Sequence, residues 1–326
     1  MKEIKPTFNF YDQTYLKSYN LDESIKYQIN LLDSLDVYTR KHSENVATIV
    51  CNLCHKLHLS RGFTEYCTIC AYLHDIGKLF IPSEILQKPA KLTDEEYEII
   101  KTHTTLGYKL CIKDPKLRPY HAGAYYHHEC LDGTGYPQGL VKKDIPFEAQ
   151  IIKVADEYEA IVNKRQYKSH VGISDALKIV IDHTKPTKSD ALKTLIDHTK
   201  PSQDAPPNTI YSKAGKNNKK VVKALLKVVI DDIEYELSAV MEYVDYLKKE
   251  LKRFKTINHY YQKRNSAKNE DKKIYFEEYM KIYLQQNETV DNFEHLYEDL
   301  KNTYSIRKSE VANLNKEIKE IKRLRI

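Results

Sequence analysis

The segment ICAYLHDIGK, residues 69–78, is expected to lie at the centre of the folded protein. Residues 69–73 are apolar or aromatic, so they indicate a buried helix that ends in the adjacent pair His74 and Asp75. Polar and charged groups at the end of such a run are costly unless they have a partner. Because imidazole and carboxylate groups are natural ligands for Fe, Mn or Zn, this pair predicts a metal site.

Further candidate ligands lie on either side of this segment. A lone histidine on a helix is usually structural, but the second adjacent pair, His127-His128, favours a functional role. Asp156 also follows an apolar run, at residues 151–155. The candidate metal ligands are His42, His74, Asp75, His103, His127, His128 and Asp156.

Several motifs resemble the HD-GYP family of cyclic dinucleotide phosphodiesterases. The matching segments are DVYTRKH (36–42), HDIGK (74–78), IPSEILQKPAKLTDEEYEIIKTH (81–103), HHECLDGTGYPQGL (127–140) and IPFEAQIIKVADEYEAIVNKRQY (145–167). The resemblance runs from about Asp33 to Ile181 and resumes near Lys213 to Asp232. The combination of the HD and GYP motifs is more specific than either alone.

The resemblance implies an all-α fold, with an HD-type helical core around a dinuclear metal centre. Two divalent transition-metal ions are expected per chain, with Fe or Mn favoured. By the family's pattern Asp75 bridges both ions. One site is then completed by His42, His74 and Asp156, and the other by His103, His127 and His128.

The same resemblance implies the residues that bind and cleave the substrate. Asp75 and Lys78 are the expected catalytic residues. Lys78 and Arg165 would face the phosphate, and Gly135, Tyr136 and Pro137 form a turn-rich loop beside the substrate. The structural alternatives are a surface ion pair for the two basic residues and an ordinary turn for the loop.

Two positions depart from the family's pattern. Tyr38 stands where some members have a glutamate that binds a third metal, so two ions are expected rather than three. Glu159 stands where the family usually has aspartate, and its longer side chain is expected to alter substrate seating or product choice.

The predicted function is metal-dependent hydrolysis of a cyclic dinucleotide. Cyclic di-GMP is the favoured substrate, with linear pGpG or GMP as product. The alternatives are a cyclic-dinucleotide receptor or interaction module with little turnover, and an HD-type phosphohydrolase that acts on another nucleotide. The net charge of +6 comes with no nucleic-acid recognition motif, so no nucleic-acid polymer is expected as a partner.

Three segments are predicted along the chain: a helical leader at 1–32, the catalytic domain at 33–235, and a helical hairpin or coiled coil at 236–326. Thr93 and Glu96 predict a capping box at the start of one helix in the catalytic domain. DALKIVIDHTKP (175–186) recurs as DALKTLIDHTKP (190–201). This duplication predicts an insertion at about 184–210, and makes His183 and His198 repeat residues rather than metal ligands.

An apolar stripe marks the C-terminal segment. Its first half contains Leu237, Val240, Val244, Leu247, Leu251 and Phe254. After a polar stretch the same spacing continues at Val290, Phe293, Tyr297, Leu300, Tyr304, Arg307, Val311, Leu314, Ile318 and Ile321, where Arg307 is the one position that is neither apolar nor aromatic. The 3-4 spacing predicts long paired helices. A stripe of this length needs a cover, which could be the helix at Leu237–Phe254 folding back or a second subunit. A homodimer or a docked partner protein is the favoured expectation.

The chain shows neither an apolar run long enough for a membrane span nor a signal peptide at its start. A cytoplasmic location with reduced cysteines is therefore expected. The spacings of Cys51-x2-Cys54 and Cys67-x2-Cys70 are compatible with a structural zinc site. Because both pairs fall inside predicted helices, packing in the core is the favoured interpretation.

Overall fold

A computed structural model describes residues 37–163, 172–186 and 214–326. Within these ranges the secondary structure is helical, apart from an isolated antiparallel bridge between Asp132 and Val141. The all-α fold class predicted from the sequence is therefore confirmed. The chain divides into two compact units, Met1–Val229 with Arg323–Ile326, and Ile230–Lys322. The division into three sequence segments stays a prediction.

The first unit contains a series of helices that carry the candidate ligands, with two short 3-10 helices, Ile76–Phe80 and Arg118–Tyr120. In chain order the α-helices are α1 (Val37–Lys56), α2 (Arg61–Tyr72), α3 (Ser83–Leu86), α4 (Asp94–Lys101), α5 (His103–Lys113), α6 (His121–Tyr126), α7 (Phe147–Val162) and α8 (Ile173–Asp182). The predicted capping box at the start of α4 is present: the Thr93 hydroxyl accepts from Glu96 N, and the Glu96 carboxylate accepts from Thr93 N.

The core of this unit forms where α1 packs against α2 and α7. Cys51 and Cys54 of α1 and Cys67 and Cys70 of α2 are buried there as free thiols. Burial raises the pKa of Cys51 to about 11 and the pKa of Cys67 well above its usual value. A protonated buried thiol behaves as a small apolar group, which agrees with packing in the core.

Two glycines allow the helices around the HD segment to approach closely. A Cβ atom on Gly77 would lie 1.9 Å from the carbonyl oxygen of His103, and one on Gly123 would lie 2.2 Å from that of Cys70. Neither position has room for a side chain, because the neighbouring atoms belong to backbone. The glycine of the HDIGK motif therefore lets the His74-Asp75 segment lie directly against the start of α5.

The ends of the duplicated region are held together beside α7. The backbone N–H of Asn217 donates to the carbonyl of His183 at 2.9 Å, and its side-chain amide donates to Glu157 at 2.9 Å. His183 also hydrogen-bonds through Nδ1 to Glu157, and Gly215 lies against the backbone of Thr184. The first copy of the repeat, as α8 and the turn after it, is thus part of the folded unit. Where the insertion begins and ends stays a prediction.

Deletion of residues 188–212, with the ends joined by a short Gly-Ser linker, is expected to leave metal content and thermal stability unchanged. The deleted residues include no candidate ligand, and the contacts between 183–184 and 215–217 remain to close the shortened connection. Shortening a loop changes its closure entropy only slowly. Elemental analysis and thermal unfolding check this. A deletion variant that folds by circular dichroism but does not bind metal would contradict it.

The second unit is a helical hairpin. Its helices are α9 (Lys219–Asn265), α10 (Glu270–Lys281) and α11 (Phe293–Lys322). Helix α9 begins in the first unit. Phe254 of α9 stacks on Phe293 of α11, with ring centroids 5.5 Å apart, and Lys322 near the end of α11 pairs with Glu234 at 2.7 Å. These contacts show that α11 runs antiparallel to α9. The long C-terminal helices predicted from the stripe are confirmed.

Helix α10 was not expected from the sequence, which indicates only a turn in this region. Met280 is its only fully buried side chain and joins a small core with Phe254, Ile257 and Phe293. One buried position in twelve residues gives too weak a periodicity to predict a helix. In the described part of the chain, no helix combines the length and the apolar character needed to cross a membrane.

Candidate metal centre

Asp75 lies at the centre of the candidate ligands, and its two carboxylate oxygens face different groups of histidines. Oδ1 lies 3.5 Å from His103 Nε2 and 3.9 Å from His127 Nε2. Oδ2 lies 3.4 Å from His74 Nε2 and 3.6 Å from His42 Nε2. The side chain is 1% exposed. A carboxylate placed in this way can share its oxygens between two cations.

The candidate ligands form two groups in which the donor atoms are close enough to share an ion. His42, His74 and Asp75 make one group, and His103, His127 and His128 make the other. Within each group the ligand atoms lie within 4.8 Å of one another. Asp156 joins the first group, since its Oδ1 lies 3.0 Å from His42 Nε2 and 3.9 Å from His74 Nε2.

Backbone carbonyls orient three of the histidines. Nδ1 of His74 lies 2.6 Å from the carbonyl of Ala71, Nδ1 of His103 2.6 Å from that of Ile100, and Nδ1 of His127 2.8 Å from that of Gly123. Because a carbonyl oxygen can only accept a hydrogen bond, Nδ1 must carry the proton. In the neutral imidazole each Nε2 is then left with a lone pair that points into the centre. This second hydrogen bond is a regular feature of metal-binding histidines.

His74 supplies the most direct test of whether the centre fits a metal ion. Its Nε2 is buried and has no hydrogen-bond partner. A buried polar atom without a partner is costly, and it marks a place where the protein would need an ion or a water. The two oxygens of Asp75, the orphaned nitrogen and the oriented imidazoles are together a donor set suited to divalent transition metals.

Glu159 holds His42 from the side opposite Asp156. Its Oε2 lies 2.5 Å from His42 Nδ1, and its Oε1 accepts from the side-chain amides of Asn45 at 2.8 Å and Asn163 at 2.7 Å. The residue is 4% exposed. The carboxylate thus reaches the imidazole of a candidate ligand and orients it. The expectation that its extra length alters substrate seating or product choice stays a prediction.

The electrostatics separate the centre into a charged and a neutral part. Burial alone would lower the pKa of His42, but hydrogen bonds to Asp156 and Glu159 raise it from 6.5 to about 10. Burial holds the pKa of His127 and of His128 well below the usual value. Without an ion, a proton on His42 therefore neutralises carboxylate charge, while His127 and His128 are already in the unprotonated form that binds metals.

Lys78 adds a positive charge to the centre. Its Nζ lies 2.5 Å from Asp75 Oδ2, and the side chain is 16% exposed. Burial would raise the pKa of Asp75, but Lys78 and His74 hold it well below its usual range. Lys78 lies three residues after Asp75, in the middle of the 3-10 helix Ile76–Phe80, and this position brings its ammonium group to the rim of the candidate ligands.

The GYP loop lies against the second group of histidines. Tyr136 stacks on the ring of His128, with centroids 4.6 Å apart and an angle of 24° between the planes. A Cβ atom on Gly135 would lie 2.3 Å from Cys130 N, so the loop packs directly on the backbone that follows His128. The Tyr136-Pro137 peptide is cis. This arrangement places the predicted substrate loop beside the candidate ligands.

The buried carboxylate of Glu129 holds this loop through hydrogen bonds to its backbone. It is 1% exposed, and its two carboxylate oxygens accept from the backbone N–H groups of Gln138 at 2.7 Å and Leu140 at 2.8 Å. Glu129 belongs to the HHE motif, but the sequence alone indicates no role for it. The only sequence signal is its position directly after two candidate ligands, which does not reveal its partners.

Replacing Glu129 by alanine is expected to destabilise the protein and weaken metal retention. Removal of the carboxylate leaves two backbone N–H groups without their acceptor, and each one that is shielded from water costs about 1–3 kcal/mol. Glu129→Gln retains one acceptor oxygen and is expected to have a smaller effect. Thermal unfolding and elemental analysis check both variants against Glu84→Ala, which alters an exposed glutamate. If Glu129→Ala unfolds at the same temperature as Glu84→Ala, the loop does not depend on this carboxylate.

The structure brings the seven sequence-derived candidate ligands together, with Lys78 and the loop residues Gly135, Tyr136 and Pro137 beside them. Arg165 lies outside the described residues, so its predicted role stays a prediction. Tyr38, which stands where some members of the HD-GYP family have a glutamate that binds a third metal, is 53% exposed. The supporting carboxylates Glu129 and Glu159 were not predicted from the sequence in the roles that they have here.

These features define an all-helical protein whose core contains candidate metal-binding groups of histidine and aspartate. A family model described as HD domain matches residues 26–191, slightly more than half of the chain. The chain therefore belongs to the HD domain family, which confirms the recognition made from the motifs.

Curated proteins are similar to part of this chain. The cyclic di-GMP phosphodiesterase of Thermotoga maritima is 38% identical over 153 residues, which are 46% of this chain and 42% of that protein. PdeB of Borreliella burgdorferi, also named a cyclic di-GMP phosphodiesterase, is 42% identical over 39% of this chain and 34% of its own length. The 3'3'-cGAMP-specific phosphodiesterase 1 of Vibrio cholerae is 35% identical over 46% of this chain and 35% of its own. The chain spans less than half the length of these relatives.

Proposed function

We propose that the protein is a metal-dependent phosphodiesterase that hydrolyses a cyclic dinucleotide, with cyclic di-GMP the favoured substrate. The observation that carries the proposal is the placement of Asp75, whose two oxygens face separate groups of histidines in a buried centre. Two cations held on either side of one carboxylate form the type of site that catalyses phosphodiester hydrolysis.

The proposed cofactors are two divalent transition-metal ions, with Fe or Mn favoured. His42, His74 and Asp156 would complete one site around Asp75, and His103, His127 and His128 the other. When bound, the pair of ions would lower the pKa of a water molecule and stabilise the negative charge that develops on the phosphodiester. A third ion is not part of the proposal, because Tyr38 offers no carboxylate.

The residues of the chain provide binding and orientation. Lys78 lies at the rim of the centre, where its ammonium group can contact a phosphate oxygen as negative charge increases. Glu159 and the backbone carbonyls keep the imidazoles turned toward the centre. Tyr136 and its neighbours Gly135 and Pro137 would line one side of the bound substrate, and Arg165 is proposed as a second phosphate contact.

The relatives support cyclic di-GMP and leave 3'3'-cGAMP as an alternative, because both substrates occur in their names. Purified protein loaded anaerobically with Fe or Mn should convert cyclic di-GMP to linear pGpG or GMP, as followed by chromatography, with 3'3'-cGAMP as a parallel substrate. Binding without any product would favour the alternative function, a cyclic-dinucleotide receptor.

The interactions of the C-terminal helices and the location of the protein stay predictions. Within the hairpin, Phe254 and Leu247 of the first half of the stripe and Phe293 and Ile318 of the second half are buried. The hairpin therefore accounts for part of the cover that the stripe needs. A homodimer or partner protein at these helices, and a cytoplasmic location, remain proposals.

A further inference from the structure

A tyrosine and a lysine on α4 lie beside the candidate metal centre, and the proposed function gives them no role. Tyr97 is 45% exposed, and Lys101 follows it by one helical turn. The ammonium group of Lys101 lies 5.0 Å from the centroid of the Tyr97 ring and 5.7 Å from that of Tyr136. Lys101 thus lies between an exposed ring and the ring that stacks on His128.

Short-range hydrogen bonds hold both ends of α4. At its C-terminal end, the carbonyl of Ile100 lies 2.6 Å from Nδ1 of the candidate ligand His103. At its N-terminal end, Thr93 and Glu96 form the capping box, and Glu96 accepts from Lys88 at 2.7 Å. Tyr97 and Lys101 therefore lie on a capped helix whose last turn contacts a candidate ligand.

The chemistry of the proposed substrate fits these two side chains. A cyclic dinucleotide has two phosphodiester groups and two bases, but only one phosphodiester can occupy the reacting position. The other half of the molecule carries a negative charge and a flat aromatic base, and it must lie outside the metal centre. An exposed aromatic ring is a stacking surface for a base, and a lysine beside it can contact a phosphate.

We propose that Tyr97 and Lys101 form an outer subsite for the half of the cyclic dinucleotide that is not being cleaved. Tyr97 stacks on its base, and Lys101 contacts its phosphodiester. Lys101 is also paired with Glu98 at 2.6 Å, but Glu98 is exposed and such surface pairs contribute little stability. The lysine can therefore exchange this partner for a phosphate at small cost.

The inference rests on the proposed phosphodiesterase function, so its test uses two substrates. Cyclic di-GMP contains two phosphodiester groups and two bases. Bis(p-nitrophenyl) phosphate contains one phosphodiester group and no base. Tyr97→Ala and Lys101→Ala are each expected to raise KM for cyclic di-GMP about tenfold. They should change kcat less, so the ratio of kcat/KM for cyclic di-GMP to that for bis(p-nitrophenyl) phosphate falls.

The chain supplies a closely matched control in α11. Lys301 lies 4.2 Å from the ring centroid of Tyr297 and pairs with Glu298 at 2.6 Å, which repeats the sequence spacing and contacts of Lys101. Lys301→Ala should leave both KM values at the wild-type level. For the aromatic variant the control is Tyr275→Ala, which removes a ring that is 54% exposed.

Two contradicting outcomes can be told apart. If the wild type hydrolyses cyclic di-GMP and both α4 variants retain its KM, the outer subsite is wrong and the proposed function stands. If the metal-loaded wild type cleaves bis(p-nitrophenyl) phosphate but no cyclic dinucleotide, the proposed function fails and the outer subsite fails with it. A selective rise of KM in both variants, absent from Lys301→Ala, supports the proposal.

Discussion

Replacing Asp75 by alanine is expected to deplete the protein of metal and to abolish turnover. One oxygen of this carboxylate faces His103 and His127, and the other faces His42 and His74, so both groups of candidate ligands depend on it. Without it, two cations would lie close together with no shared negative charge to offset their repulsion. The loss of rate should exceed about 1,000-fold, which is the upper end for a single transition-state donor.

The matched control for this variant is Asp175→Ala. Asp175 also pairs with a lysine three residues away, but its side chain is 67% exposed. It should retain both metal and rate. Circular dichroism must show that Asp75→Ala is folded. Wild-type turnover by folded, metal-free Asp75→Ala would show that Asp75 has no part in catalysis.

Replacing Lys78 by alanine is expected to leave the metal content unchanged and to lower kcat by about 100- to 1,000-fold, as for other groups that stabilise charge in a transition state. A positive charge beside Asp75 opposes the binding of cations, so its removal should not weaken metal binding. Lys78→Arg should recover part of the rate, because it retains the charge in a different geometry. Steady-state kinetics with parallel elemental analysis separates these effects.

Lys178→Ala is the corresponding control. Lys178 and Asp175 repeat the three-residue spacing of Lys78 and Asp75, but Lys178 is 55% exposed whereas Lys78 is 16% exposed. A change in this surface pair should leave kcat unchanged. If Lys78→Ala loses metal as well as rate, the lysine supports the centre rather than the reacting phosphate.

The candidate ligands could be selected from the sequence because they lie in short motifs. Adjacent pairs such as His74-Asp75 at the ends of apolar runs indicate a buried polar site through local pattern alone. The hydrogen bonds that orient the ligands are different, because they depend on how distant segments meet. Glu159 reaches His42 across 117 positions of sequence, and no local pattern specifies that contact.

The contacts at the end of the first repeat copy could not be predicted for a related reason. The two copies of the repeat have nearly the same sequence, so the pattern gives no means of telling which of them belongs to the folded core. Glu157 on α7 hydrogen-bonds to both His183 and Asn217, and no local pattern in the repeat specifies these contacts.

The most direct test of the account is to measure cyclic di-GMP hydrolysis in metal-free protein as Fe or Mn is added back in known equivalents. We expect no hydrolysis after chelation, little with one equivalent, and a rise to full rate as the second equivalent binds, with linear pGpG or GMP as product. Full rate in the chelated protein, or two bound ions with no hydrolysis of any cyclic dinucleotide, would contradict the account.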